Sequence, residues 1–206
     1  MATAEQMAAY TAMLSQYKPA QDKPVTEIAV FKLNEPQSPE LLEYFEKEII
    51  ANTTPDEGIN KQAWGFSLSD PKTHVWMLDY DKIQDHWAFW QTPAFTPVIA
   101  AITKLFEAGR PLVRHYDFQP AGLLDEPFQR VVVWNDEAKV GQKAADLVKG
   151  KSVAKNAKEA YAVDMDETTW RCAVFGYSSQ EDADKDEIVA PEGAESHLVK
   201  LKFSSK

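Results

Sequence analysis

Val25-Thr26-Glu27-Ile28-Ala29-Val30-Phe31-Lys32-Leu33 is rich in β-branched and apolar residues and ends at the breaker Asn34 to Pro39, so it reads as a strand. Ser38 can cap a helix that has Pro39 at its first position, with Leu41, Leu42, Phe45, Ile49 and Ile50 on its apolar face. Gln62 to Leu68 and His74 to Tyr80 read as two strands joined by the turn Ser69-Asp70-Pro71-Lys72. A long helical region opens at Asp81. Gln91-Thr92-Pro93 must interrupt it, because proline has no N–H to donate. The helix resumes through Val98, Ile99, Ile102, Leu105 and Phe106, stops at Gly109, and Pro111 to Phe118 forms a fourth strand. Strand, helix, strand, strand, helix, strand is one ferredoxin-like unit.

The same order recurs after Pro120 to Pro127. Phe128 to Trp134 is a strand, Asp136 to Val148 a helix, and Ala157 to Met165 and Trp170 to Tyr177 two more strands. Gln180 to Glu187 is a short acidic helix or loop, and His197 to Phe203 alternates like a half-exposed edge strand. The expected fold class is α+β: two tandem ferredoxin-like (β-α-β-β-α-β) units, residues 25–120 and 121–206, closed into one barrel. Residues 1–24 lie outside the repeat. They comprise a helix over 4–17, with Met7, Tyr10, Met13, Leu14 and Tyr17 on one stripe, and a linker from Lys18 to Pro24.

A chain of 206 residues can bury roughly 70% of its unfolded surface and needs no covalent staple. A formal net charge of −10 repels phosphate backbones and anionic headgroups, which argues against nucleic acid and membrane partners. The lone Cys172 lies in the apolar run Cys172-Ala173-Val174-Phe175 and reads as a small buried hydrophobe. The start of the chain has no basic-then-apolar leader, and no apolar stretch approaches 18 residues, so a cytoplasmic location is expected. There is no Gly-rich phosphate loop and no Gly-x-Ser-x-Gly elbow. His74, His86 and His115 lack the short spacings of metal ligands, and the acidic run Glu181 to Glu187 lacks a calcium-loop glycine. No metal and no cofactor are expected.

The element order, the strand Val25–Leu33, the hairpin with Trp76 and the segment Trp90-Gln91-Thr92-Pro93-Ala94-Phe95 resemble the dimeric α/β barrel superfamily. Antibiotic-biosynthesis monooxygenases, stress-responsive barrel proteins and a plant polyketide cyclase belong to it. The resemblance covers roughly residues 25–120, and the second half supports it by element order. It implies two facing sheets, with a small-molecule pocket between a sheet and its second helix or within the barrel. It also places the cyclase's catalytic histidine position at Phe95, its partner tyrosine at Phe89, and the haem-degrading members' proximal histidine at Ile99. Neither Phe can move a proton and Ile cannot bind iron.

Side chains alternate faces along a strand. The register implied by the resemblance points Glu27, Ala29, Phe31 and Leu33 inward, with Gln62, Trp64 and Phe66, and with His74, Trp76, Leu78 and Tyr80. The fourth strand stays open: Val113, His115 and Asp117 face inward, or a one-residue slip presents Arg114 and Tyr116. The ferredoxin-like order gathers Glu27, Tyr80 and Asp117 at one end of the sheet, with His115 nearer the middle. The candidate acid–base residues are His115, Glu27, Tyr80 and His86, the last beside Trp87 and Trp90. The candidate substrate contacts are Phe31, Trp64, Phe66, His74, Trp76, Leu78, Phe89 and Phe95.

The expected function is that of a cofactor-independent enzyme, monooxygenase-, cyclase- or lyase-like, on a hydrophobic aromatic or polyketide-like molecule. The alternatives are a non-catalytic binding or stress-response barrel and an interaction protein with a filled barrel. The partner is a hydrophobic small molecule, and the protein a monomer or homodimer. One chain is expected to close the barrel. Trp64, Phe66, Trp76, Leu78 and Tyr80 would cover Val131, Val133, Ala173, Phe175, Val199 and Leu201.

Overall fold

The computed structural model describes Glu5, Ala8, Ala9 and Ala12 and residues 21–108, 112–137, 143–164 and 167–206. Glu5, Ala8, Ala9 and Ala12 are helical. The apolar stripe expected on that helix, the stop at Gly109 and Met165 lie outside the described residues.

The first half contains β1 (Val25–Lys32), α1 (Pro39–Phe45, continued as a π-turn over Glu46–Ile50 and one further turn over Ala51–Thr53), β2 (Ile59–Phe66), β3 (Thr73–Tyr80), α2 (Ile83–Phe89), α3 (Phe95–Leu105) and β4 (Leu112–Tyr116). The Ser38 hydroxyl accepts from the Leu41 N–H at 3.3 Å and caps α1. The second half contains β5 (Phe128–Asn135), β6 (Val148–Lys149), β7 (Asn156–Tyr161), β8 (Trp170–Tyr177), α4 (Gln180–Lys185), β9 (Glu187–Ile188), β10 (Glu195–Lys200) and β11 (Lys202–Ser205). The helix expected over 136–148 is a correction. Its described part is a single 3-10 turn at Ala144–Leu147 followed by β6, and residues 138–142 lie outside the described set.

One sheet has the order β11-β2-β3-β1-β4, the other β10-β5-β8-β7, and β6-β9 form a small separate ladder. Strand β1 runs antiparallel to both β3 and β4, as a ferredoxin-like unit requires. The last strand does not stay on one edge. It breaks at Leu201, so β10 completes the second sheet while β11 crosses to pair with β2 of the first. Val199 bridges Ser67 on that side, and Tyr116 bridges Ala162 on the other. Both seams between the sheets are thereby joined, and one chain closes the barrel. The linker is tied down by Asp79, whose carboxylate accepts from Thr26 Oγ1 at 2.6 Å and from the Leu123 N–H at 2.6 Å.

The facing of the sheets overturns the sequence expectation. Ile28, Val30, Ala63, Val75 and Met77 point into the barrel and pack with Val131, Val133, Cys172, Val174, Val199 and Leu201. The aromatic set lies on the other face: Phe31, Trp64, Trp76, Leu78 and Tyr80 pack under α1, α2 and α3 with Phe45, Trp87 and Phe106. Ala173 and Phe175 likewise belong to the outer core of the second sheet, with Trp134 and Leu147. Alternation sorts residues onto two faces but does not say which face receives the helices. Here most of the broad rings of β1, β2 and β3 fill the space between sheet and helices, while the barrel is filled mainly by aliphatic side chains, with the stacked rings of Tyr116 and Phe118 beside β4.

Covering Ile28, Val30, Val75 and Met77, all 4% exposed or less, stabilises by roughly 1.5–3 kcal/mol per large side chain. Residues 20–121 expressed alone would lose this cover and the β11 pairing. The fragment is expected to be aggregated or molten by near-UV circular dichroism and sedimentation; a soluble, well-folded monomer would show that the halves do not depend on each other.

His74 on β3 is 1% exposed, and neither ring nitrogen has a hydrogen-bond partner. It packs against Phe45 with ring centroids 4.2 Å apart, and Phe66 and Phe106 close the box. Burial pushes its pKa from 6.5 down to about 3. The folded protein thus binds this proton more weakly than the unfolded chain, so its contribution is present above pH 6.5 and is lost as pH falls toward 3. By pH 4 this amounts to about 3 kcal/mol. Between pH 7 and pH 4, urea unfolding of His74→Phe is expected to lose less stability than the wild type by that margin. Equal losses would remove His74 from the acid sensitivity.

Candidate functional site

The register that buries the aromatic face also sets the site. Glu27 pairs with Leu78 across one edge of β1 and with His115 across the other, while Val25 pairs with Tyr80. The open question on β4 is answered: His115 shares the face of Glu27, and Arg114 and Tyr116 point to the opposite side. α2 lies over this end of the sheet and lowers His86 onto it, with the His86 ring stacked on Tyr80 at a centroid distance of 4.9 Å and an interplanar angle of 12°. Trp90 meets His86 edge-on at 4.5 Å.

The four residues chosen as acid–base candidates therefore converge. His86 Nδ1 and His115 Nε2 are 2.8 Å apart. Glu27 Oε2 lies 3.4 Å from His86 Nδ1 and 3.7 Å from His115 Nε2. The Tyr80 hydroxyl donates to that same carboxylate oxygen at 3.2 Å. Glu27, Tyr80, His86 and His115 are all 7% exposed or less.

A fifth member, absent from the sequence reading, comes from the second half. The segment after β7 runs beside β4, where the Val163 N–H donates to the His115 carbonyl at 2.9 Å. Asp164 is thereby set against His115. Its Oδ2 accepts the His115 backbone N–H at 2.7 Å, and its Oδ1 lies 2.8 Å from His115 Nδ1. Asp164 and His115 are 49 residues apart, and no local pattern joins them. Asp117, expected at this end of the sheet, instead pairs with Lys23 at 2.6 Å and takes no part.

Burial raises the Glu27 pKa, and the nearby His115 and the Tyr80 hydrogen bond only partly offset it. Burial also holds His86 well below the ordinary imidazole range, and His115 pushes it the same way. His115 behaves oppositely. Burial alone would lower its pKa, but the charge and hydrogen bond of Asp164, with help from Glu27, outweigh this and raise it. Asp164 is lowered despite its burial, through its charge and hydrogen-bond contacts with His115. In its charged form His115 donates Nδ1–H to Asp164 and Nε2–H to the Nδ1 of a neutral His86, whose own proton is then on Nε2.

The expected substrate contacts divide. Leu78 and Tyr80 lie beside Glu27 in the register, and Phe89 and Phe95 meet edge-on at 5.7 Å where α2 gives way to α3. Phe31 and His74 are opposite each other four residues further along β1, about 13 Å from the carboxylate at 3.3 Å per residue. That far end is a packed block: Phe31 stacks on Phe106 at 4.2 Å, Trp64 Nε1 donates to Glu46 at 3.0 Å, and Trp76 Nε1 donates to Gln62 at 3.2 Å. Phe66 closes against His74 at 5.4 Å. No short sequence spacing announces a ligand set because Glu27, His86 and His115 come from β1, α2 and β4.

No family model matches the chain, and no curated protein matches it in sequence. Among solved structures, an anthrone oxidase-like protein superposes with a TM-score of 0.61 at 14% identity, over 90% of this chain and 94% of its own. A proposed monooxygenase of Fusobacterium nucleatum gives 0.59 at 12% identity, over 89% and 95%. A proposed monooxygenase of Lactobacillus acidophilus gives 0.57 at 10% identity, over 89% and 96%. At these identities the likeness is one of fold. Together with the paired ferredoxin-like sheets, it shows that this chain has the dimeric α/β barrel fold, with both halves of the barrel in a single polypeptide.

Proposed function

We propose that the protein is an enzyme acting on a hydrophobic aromatic small molecule by proton abstraction at Glu27, with cationic His115 offsetting the negative charge that develops. The observation that carries this reading is the file from half-buried Asp164 to the buried His115 and His86, with buried Glu27 beside both imidazoles. Three buried ionisable groups in an apolar core cost stability unless they are paired or used. Burial makes Glu27 a stronger base than an exposed carboxylate. Asp164 fixes the orientation of His115 and keeps it charged, and Tyr80 holds the Glu27 carboxylate in place. Half-buried Trp90 meets His86 edge-on, and the Phe89–Phe95 pair flanks it in the chain where α2 gives way to α3, a set of rings that suits a flat aromatic ligand.

An aromatic ring ketone with an acidic CH2 group, such as anthrone, fits this machinery. Glu27 takes one proton, and the resulting carbanion supplies the electrons that reduce O2. One oxygen atom enters as the new ketone, the second leaves as water, and the carbon loses both hydrogens. The fold likeness to an anthrone oxidase-like protein supports this substrate class. A non-catalytic barrel that only binds such molecules is the second reading.

Anthrone-dependent oxygen uptake is expected to fall by about 10²–10⁴ in Glu27→Gln, the usual contribution of a positioned base. Asp164→Asn should fall less, because it disturbs only the group that holds His115. Wild-type rates in Glu27→Gln would remove the base assignment. If anthrone quenches tryptophan fluorescence but is never consumed, the binding reading replaces the enzymatic one.

A further inference from the structure

The hydrogen bond between the imidazoles accounts for two of the three converging atoms but not for the third. Glu27 Oε2 stands 3.4 Å from His86 Nδ1 and 3.7 Å from His115 Nε2, beyond a good hydrogen bond to either. It nevertheless faces both nitrogens at once. With the 2.8 Å His–His edge, the three separations bracket the roughly 3.3 Å edge of a tetrahedron built on 2.0–2.1 Å metal–ligand bonds.

We propose that Glu27 Oε2, His86 Nδ1 and His115 Nε2 form a binding site for one first-row divalent cation, such as zinc or ferrous iron, with its remaining coordination open to water or a ligand. Two imidazoles and one carboxylate suit these ions, whereas calcium and magnesium prefer all-oxygen sets. The surroundings match a metal's outer shell. Asp164 Oδ1 takes the Nδ1 side of His115, which leaves Nε2 as its donor atom, and the Tyr80 hydroxyl orients the Glu27 carboxylate. All three donors are at least nine-tenths buried, so a bound ion is shielded from bulk water. Cation binding displaces the proton shared by the imidazoles. The metal-bound site and the proton-transfer arrangement of the proposed function are alternative states of the same residues: a bound cation occupies the Glu27 oxygen and replaces the proton between the imidazoles, so the cation site does not rest on that chemistry.

The test uses the full-length protein, stripped with a chelator and titrated with Zn2+ by calorimetry and with Co2+ by visible absorption. One equivalent is expected, with the intense d–d bands of four- or five-coordinate cobalt. Glu27→Gln, close in shape to the wild type, and His86→Ala are each expected to weaken Zn2+ affinity at least tenfold, with folding checked by circular dichroism. His197→Gln is the control for the other buried imidazole beside a carboxylate, where His197 Nε2 meets Glu195 at 2.7 Å, and should bind like the wild type. No stoichiometric binding, binding unchanged in folded Glu27→Gln, or binding abolished in His197→Gln would each overturn the proposal. Because the readout is binding, a failure to consume anthrone leaves this result standing, and the converse also holds.

Discussion

The structure depends on burying one aliphatic sheet face against another. Ile28, Val30, Val75 and Met77 from the first half meet Val131, Val133, Val174 and Val199 from the second. A four-stranded sheet covered on one face only would leave this surface in water, so the halves must associate. The seams at Ser67–Val199 and Tyr116–Ala162, with β11 crossing to β2, then remove most of the open edges that such sheets would otherwise present. With the positions of β1, β2 and β3 that face the interior committed to aliphatic side chains, the aromatic residues of these strands are left to the helices.

That division has a direct consequence for the site. Because the even-numbered positions of β1 fill the barrel, Glu27 must face the helices, and the antiparallel register carries Tyr80 and His115 to the same side. α2 ends shortly before the Gln91-Thr92-Pro93 break, so it is short and lies over one end of the sheet, where His86 completes the group. The barrel seam adds Asp164. The residue that orients His115 and raises its pKa thus comes from the second half, and the site in the first half is incomplete without it. This gives a physical role to the half that contributes little aromatic surface.

The outer face also contains two polar solutions of different kinds. At the Glu27 end, buried charges are arranged so that each has a partner, and their pKa values are driven apart: His115 upward, His86 and Asp164 downward, Glu27 upward. At the other end His74 is kept neutral among phenylalanine rings without any partner. The first pattern is what proton chemistry or cation binding requires. The second is a stability cost accepted inside a tightly packed aromatic block.

The amino-acid sequence by itself determined the fold class, the element order of the first half, and the choice of Glu27 and Tyr80 as residues of one sheet face, because the two-residue strand period and the Pro and Gly breaks are local properties of the chain; it left the facing of β4, and with it His115, open. It also singled out His86, since an imidazole early in an amphipathic helix beside Trp87 and Trp90 stands out. Only the tertiary structure decided that this face belongs to the helices and not to the barrel interior. Both faces of the first sheet are apolar, and the choice follows from how side-chain volumes fit a closed barrel. Only the tertiary structure added Asp164 and excluded Asp117, because a contact across 49 residues is fixed by where the two sheets meet.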